Sequence, residues 1–166
     1  MAYYSADEMK KILKEYPQYR ENLYSRGFLL TDVQQKNLNE YPFYGNWNCA
    51  EIKNSEVNYY IYTHKDVTSY SYSDGKYTLF LIGHAYDPFN MRVNENEILQ
   101  DLAEAIRKGQ SEFWDAESNL TGVFCVGYID DKKIVYSTDC AGMQLVYHGT
   151  INNKLYITSH SKLVAD

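Results

Sequence analysis

A strand-like stretch in the last third of the chain carries the strongest fold signal. It reads Gly122-Val123-Phe124-Cys125-Val126-Gly127-Tyr128-Ile129-Asp130. This short apolar run ends at a polar turn, Asp130-Asp131-Lys132, which is typical of a buried strand entering a hairpin. The chain then continues through 136–147 and 157–163. The end of the chain, with a turn at Asn152-Asn153, predicts one more hairpin.

Upstream of this stretch the chain also favours strands over helices. Strand patterns occupy 28–30, 47–52 and 57–62, with a polar loop predicted over 31–46. The clearest hairpin signal is Asp74-Gly75, because this pair suits the positive backbone angles of a tight turn between 70–73 and 76–80. Eighteen tyrosines also favour pleated, half-buried surfaces, although exposed tyrosine rings could alternatively serve a sugar-binding module.

Two segments carry helix signals. Ser5 and Glu8 have the spacing of a capping box, and apolar residues follow at helical spacing, so residues 5–24 are predicted to be a helix that breaks at Pro17. The second helix is capped by Asn94 and closed by Gly109. With about eight strands, two principal helices and no βαβ order, the predicted class is α+β.

Composition narrows the classes of protein further. A chain of 166 residues predicts one domain, and no apolar stretch is long enough to span a bilayer. The start of the chain lacks the pattern of a secretory signal, which predicts a cytoplasmic protein. A net charge of −6 argues against nucleic acid as a partner. Three widely spaced cysteines predict neither disulfides nor a zinc site.

The order and spacing of ten residues in the last third resemble the glutaminase-type domain of asparagine synthetases and other class II glutamine amidotransferases. These residues are Leu120, Gly122, Phe124, Asp139, Gly142, Leu145, Tyr147, Ser159, Lys162 and Leu163. The resemblance implies two antiparallel sheets packed face to face with helices outside, the N-terminal-nucleophile hydrolase arrangement. It divides a single domain, 1–166, into a helical extension, 1–26, and a sandwich, 27–166.

The groups that perform the chemistry of that family are missing from the matching positions. The family uses an N-terminal cysteine as nucleophile, whereas removal of Met1 would expose Ala2. The family's oxyanion donor is an asparagine before a glycine, and Ile82 precedes Gly83 here. The scaffold residues Gly83, Gly122, Asp139, Gly142, Ser159 and Lys162 are present. The resemblance therefore implies a catalytically silent member with a structural or capping role.

The ATP-dependent half of such ligases uses a Ser-Gly-Gly-x-Asp-Ser loop, which the chain does not contain. We therefore expect this chain to be the amino-terminal part of a longer protein, although a standalone domain stays open. ATP and Mg²⁺ are expected only in a C-terminal synthetase domain, which would be the partner in cis. The sequence leaves the oligomeric state open.

Several residues could form a catalytic or metal site other than the one that the resemblance implies. Cys49 could be a nucleophile with His64 or His84 as base, although the strand pattern favours a core cysteine, as it does for Cys125. His84, Asp87 and Asp139 could form a metal or acid–base site, but Asp139 more simply ties the turn before Gly142. His148 and His160 are predicted to be surface residues without a partner.

A rival hypothesis is self-processing. Some hydrolases activate themselves by cutting before Ser, Thr or Cys, so Ser25 or Thr31 would become the first residue if residues 5–24 were a cleaved propeptide. The well-capped helix in this segment favours a packed element instead. An active amidohydrolase nevertheless remains an alternative to the silent domain.

Overall fold

Nine β-strands and four α-helices make up the part of the chain that the computed structural model describes, residues 4–53, 57–131 and 133–165. In chain order they are α1 (Ala6–Glu15), β1 (Phe28–Thr31), β2 (Trp47–Lys53), β3 (Asn58–His64), β4 (Ser69–Ser73), β5 (Thr78–Tyr86), α2 (Glu95–Lys108), α3 (Gln110–Glu117), β6 (Thr121–Ile129), β7 (Ile134–Thr138), β8 (Tyr147–Ile151), β9 (Lys154–Thr158) and α4 (Lys162–Ala165). None of these helices combines the length and the apolar character that crossing a membrane requires.

The strands form two antiparallel sheets that pack face to face, as predicted. One sheet has the order β2-β3-β1-β9-β8 and the other has the order β4-β5-β6-β7. The apolar core between the sheets takes side chains from both: Phe28, Leu30, Ile52, Ile61, Phe80, Ile82, Cys125, Ile129 and Ile157. A second core lies between the four-stranded sheet and α2 and α3. The fold is therefore an α+β sandwich with a helical layer on one face.

The amino-terminal helix begins where the capping box predicts it. The Ser5 backbone N–H donates to the Glu8 carboxylate at 2.7 Å, and the Glu8 N–H donates to Ser5 Oγ at 3.3 Å. The break at Pro17 is also present, but the segment after it, Pro17–Asn22, is a 3-10 helix and not a second α-helix. The missing N–H of proline interrupts the α-helical hydrogen bonds and the chain resumes with a tighter turn.

Helix α2 matches its sequence signals, whereas α3 was not predicted. Asn94 Oδ1 accepts the N–H of Asn96 at 2.9 Å, and Gly109 ends the helix with φ of 153°. Helix α3 starts directly after Gly109 and buries mainly Phe113. Because its large apolar side chains are adjacent in sequence and do not recur every three or four residues, α3 lacks the periodic pattern by which helices are recognised.

Two hairpins differ in how closely they follow the sequence prediction. Asp74 N–H donates to Tyr77 O at 3.1 Å, so the β4–β5 turn is centred on Gly75-Lys76, one residue later than predicted. Asp74 Oδ1 instead accepts the N–H groups of Lys76 and Tyr77 and holds the turn from one side. The β8–β9 turn lies at Asn152-Asn153, as predicted, and both asparagines have positive φ. The turn predicted at Asp130-Asp131-Lys132 includes Lys132, which lies outside the described residues, so that part of the prediction is not tested.

Candidate functional site

One end of the sandwich brings together the sequence-predicted residues of both sheets. His64, the last residue of β3, donates its backbone N–H to Gly27 O at 2.9 Å, just before β1. After residues 65–68 the chain enters β4 at Ser69, which pairs with Ile82 of β5. The start of β1 and Ile82 therefore lie at the same end, which we call the Gly27 end.

The start of β1 is held by the residues that end β9. Phe28 N–H donates to Ser159 Oγ at 2.8 Å, and Ser159 N–H donates to Phe28 O at 3.1 Å. Thr158 Oγ1 donates to the same carbonyl at 2.8 Å. All three residues are buried. Both backbone polar groups of Phe28 are thus satisfied without solvent, which fixes the first residue of the central strand.

His160 belongs to the same cluster and is not the surface residue that was predicted. Its Nδ1 lies 2.9 Å from Ser159 Oγ, and its ring packs edge-on against Tyr24 with centroids 5.4 Å apart. Burial lowers the pKa of His160, because desolvation disfavours the charged imidazolium. Although a serine and a histidine are in contact, Ser159 Oγ already accepts the Phe28 N–H. The pair therefore acts as a structural tie.

The hypothetical dyad of Cys49 with His64 is not assembled. His64 is fully buried, with Nε2 3.0 Å from Glu21 O and Nδ1 3.2 Å from Asp66 Oδ2. Cys49 pairs across the strands with Tyr62. The expectation that Cys49 is a core residue is wrong, since it is exposed. Partial burial of the thiol nevertheless raises the pKa of Cys49, which disfavours the nucleophilic thiolate.

Ile82, which the sequence resemblance aligned with an oxyanion donor, lies in the core between the sheets. Its side chain is fully buried in the same apolar cluster as Phe28 and Cys125. Cys125 is a core residue, as predicted, and burial raises its pKa to about 12. An apolar environment of this kind offers no donor to a developing negative charge.

Gly83 and Gly122 mark a close approach of β5 and β6. Gly83 has φ of 102° and Gly122 has φ of 137°. A Cβ added to Gly83 would lie 2.3 Å from Val123 O, and one added to Gly122 would lie 2.2 Å from His84 O. Both glycines are therefore required by backbone geometry, independently of any catalytic role.

His84 and Asp87 have separate structural partners and do not form one site. His84 is largely exposed, and its Nδ1 lies 2.9 Å from Glu95 Oε1. Asp87 accepts the backbone N–H groups of Phe89 and Asn90 and thereby shapes the following loop. Burial alone would raise the pKa of Asp87, but these hydrogen bonds and that of the Asn90 side chain outweigh it and lower the pKa.

Asp139 ties the turn before Gly142, as predicted. Its Oδ1 accepts the Met143 N–H at 2.9 Å and its Oδ2 accepts the Gln144 N–H at 2.8 Å. Gly142 donates its N–H to Asp139 O and has φ of 63°. Among the described residues, no group of three His, Cys, Asp or Glu side chains is placed to hold a metal ion.

The helical segment before β1 packs over the Gly27 end. Arg20 O accepts the Asn46 side-chain amide at 3.1 Å, Glu21 O contacts His64, and Tyr24 contacts His160. Lys162, from the family-like motif, donates to Tyr4 O and ties the start of this segment to α4. The segment is thus a packed element of the structure.

The residues proposed for self-processing occupy different environments. Ser25 is exposed shortly before β1, and its Oγ donates to Asn22 O at 3.0 Å. Thr31 is the last residue of β1 and is fully buried. Ala2, the residue that would follow a removed initiator methionine, lies outside the described residues. Only Ser25 is therefore both accessible and close to the start of the first strand.

His148 has a partner that the sequence did not indicate. Tyr136 Oη, from β7 of the four-stranded sheet, lies 2.9 Å from His148 Nδ1, in β8 of the five-stranded sheet. The contact links the two sheets at their shared edge. It joins residues that are only 12 apart in sequence but belong to different hairpins, and no spacing rule predicts such a pair.

Comparisons with known proteins do not identify a relative. No protein-family model matches the chain, and a search of curated proteins finds no significant match. The functional conclusion therefore depends on the geometry of the Gly27 end. The sequence missed the role of Thr158 and Phe28 there; the position of Thr158 directly before Ser159 was the available signal.

Proposed function

We propose that this chain is a catalytically silent glutaminase-like domain of an asparagine synthase-like ligase, with the N-terminal-nucleophile hydrolase arrangement. The observation that carries the proposal is the start of β1. Ser159, one residue of the resembling motif, contacts this point through its side chain and its backbone, and it is this start of the first strand, and not Ala2, that we align with the family's nucleophile. The position is occupied by an ordinary internal peptide segment.

The family's reaction requires a nucleophile with its base and a donor to the oxyanion, and the start of β1 lacks the first of these. Gly27 and Phe28 have no nucleophilic side-chain atom, and their amines are in peptide bonds, so neither can serve as the base. A Cβ on Gly27 would lie 2.6 Å from Tyr24 O and 3.0 Å from the Trp47 ring, which leaves no room for a reactive side chain. The packed segment over the Gly27 end closes the same position from outside.

The second missing requirement is stabilisation of an oxyanion. Loss of one such donor costs about 3 kcal/mol of transition-state stabilisation. Ile82 and Phe28 contribute to one apolar core between the sheets, where a donor and a nucleophile would have to face each other. Two losses at the same end of the sandwich support a scaffold or capping role over a weakened enzyme.

The partner that this role implies is a C-terminal synthetase domain in cis, which would hold ATP and Mg²⁺. Sequencing of the transcript beyond the codon for Asp166 tests this part of the proposal. We expect the reading frame to continue into a Ser-Gly-Gly-x-Asp-Ser segment. A stop codon directly after Asp166 would remove the partner in cis.

A glutamine turnover assay tests the silent site. Purified chain is incubated with glutamine, and released ammonia is measured against a heat-denatured sample. We expect no enzymatic release. Turnover that disappears in Cys49→Ala would contradict the proposal and would identify Cys49 as a nucleophile; turnover that survives this change would also contradict it and point elsewhere in the chain.

The alternative of self-processing is tested by intact mass on the same sample. Cleavage before Thr31 would remove Phe28, Leu29 and Leu30, three buried residues of the central strand β1, so it conflicts with the fold. Cleavage before Ser25 would leave β1 whole and place a serine amine near the Gly27 end. We expect the full mass after prolonged incubation. A truncated mass that is restored by Ser25→Ala would favour the active amidohydrolase.

A further inference from the structure

Strand β8 forms an open, uncharged edge of the five-stranded sheet. Among the described residues it pairs only with β9, and all five of its residues, Tyr147–Ile151, are exposed. Residues 140–153 contain no Asp, Glu, Lys or Arg, in a chain with 23% charged residues. Exposed edges are normally protected by charges, proline or a covering element, because their free backbone groups recruit other strands.

Large apolar side chains are exposed on this strand and in the segment that leads into it. Met143 is 69% exposed and Leu145 is 62% exposed, and Tyr147 and Ile151 are about half exposed. Beside them a cavity of about 200 Å³ opens between β8, β9 and α4, lined by Tyr147, Ile151, Tyr156 and Val164 among others. An exposed strand edge continuous with an apolar patch is typical of a protein interaction surface.

The hairpin geometry determines which backbone groups point outward. The β8–β9 turn consists of two residues with positive φ, Asn152 and Asn153, so the flanking Ile151–Lys154 pair is hydrogen-bonded. Hydrogen-bonded and non-hydrogen-bonded pairs alternate along an antiparallel ladder, so Gly149 also faces β9. The N–H and C=O groups of His148 and Thr150 therefore point towards the free edge.

We propose that this edge pairs with β8 of a second copy of the chain, antiparallel about a two-fold axis at Gly149. In that register His148 of each copy opposes Thr150 of the other, so the groups that point outward exchange both hydrogen bonds. Tyr147 then packs against Ile151 of the other copy, an aromatic–β-branched pair of the kind that stabilises sheets.

Two further features of β8 favour pairing with β8 of a second copy. A two-fold axis repeats each contact, so a charged residue near it would meet a like charge, and β8 has none. Gly149 on the axis has no side chain, and the non-hydrogen-bonded position there brings the two Cα atoms to about 4.5 Å. The two five-stranded sheets would join into one continuous sheet.

A charge placed on the axis tests the proposal. A Cβ added to Gly149 meets no atom within 4 Å, and its φ is not positive, so Gly149→Glu should fold as a monomer without strain. In the dimer the two carboxylates would lie opposite each other, and we expect the dissociation constant to rise about ten-fold or more. Asn48→Glu, on the opposite edge strand β2, adds the same charge and should leave the dimer unchanged.

The measurement is sedimentation equilibrium of the wild type and both variants through the micromolar range. We expect a dimer for the wild type and for Asn48→Glu, and a monomer for Gly149→Glu at the same concentrations. A monomeric wild type would overturn the proposal and leave the edge to a strand of a different protein. A dimer that Gly149→Glu does not weaken would place the contact elsewhere and would equally overturn it.

A disulfide cross-link gives a second measurement, which does not depend on weakening the dimer. With the exposed Cys49 and Cys140 replaced by serine, Gly149→Cys would bring two thiols together across the axis, within the Cα separation that a disulfide spans. We expect a covalent dimer after mild oxidation. A thiol moved to Asn48 should give none, and equal cross-linking from both positions would contradict the proposed axis.

Discussion

Removal of the Ser159 hydroxyl tests whether the end of β9 holds the start of the central strand. Ser159→Ala deletes the acceptor of the Phe28 N–H, a bond of 2.8 Å. Phe28 is fully buried, so no water replaces the lost acceptor. The Phe28 carbonyl keeps its bond from Thr158 Oγ1. His160 Nδ1 also loses its contact with Ser159 Oγ, but His160 is only half-buried and water can replace that partner, so the Phe28 N–H is the fully buried group that becomes unsatisfied.

The expected magnitude follows from this single orphaned donor. A buried polar group left without a partner costs about 1–3 kcal/mol, so we expect the free energy of unfolding to fall by about 2 kcal/mol. Thr158→Val is the informative comparison. The Phe28 carbonyl would still accept the Ser159 N–H at 3.1 Å, and the His160 N–H, which loses Thr158 Oγ1 as its acceptor at 3.2 Å, belongs to a half-buried residue that water can reach. This change should therefore cost only about 1 kcal/mol.

Urea denaturation followed by circular dichroism measures both differences. The slope of the unfolding free energy should stay unchanged while the midpoint falls, and the melting temperature of Ser159→Ala should drop by about 4–8 °C. Ser161→Ala, at an exposed position, is the control and should stay within about 0.5 kcal/mol of the wild type. The reasoning is refuted if Ser159→Ala matches this control, or if Thr158→Val costs more than Ser159→Ala.

Three further changes test other parts of the structure. Gly122→Ala should destabilise the fold by about 2 kcal/mol or more in thermal denaturation, because its Cβ would lie 2.2 Å from His84 O at a φ of 137°. Gly149→Ala, compared at a protein concentration low enough for both chains to be monomeric, should be nearly neutral, and equal effects would contradict the close approach of β5 and β6. Ile82→Asn, which restores the family's donor type, should cost about 3 kcal/mol of stability without producing glutamine turnover, and a gain of turnover would show that the apolar core is not what silences the site. The pKa of Asp87 is lowered in the folded state, so the stability that its carboxylate contributes is present above its unfolded pKa and is lost as the pH falls below about 4. The difference in unfolding free energy between wild type and Asp87→Asn should therefore shrink over that range. A difference independent of pH would contradict the role of the Asp87 carboxylate in shaping the loop.

Features that depend on near neighbours in the chain were predictable from the sequence. The capping box at Ser5 and the helix ends at Asn94 and Gly109 are present, as is the turn at Asn152-Asn153. Each is produced by side chains and backbone groups only a few residues apart. The β4–β5 turn shows the limit of such signals, because it is centred one residue later than predicted. The carboxylate of Asp74, beside the turn, accepts the N–H groups of Lys76 and Tyr77 and stabilises the turn in that position.

The two-sheet α+β arrangement could also be expected, since hairpins separated by few helices leave little alternative. The sequence alone determined these local elements and the fold class. Which side chains would share an environment depended on how the sheets stack. Contacts between residues far apart in sequence carry no local periodicity. Only the tertiary structure therefore exposed Cys49, packed the half-buried His160 against Tyr24, placed Phe28 with Ile82 and left β8 as an open edge.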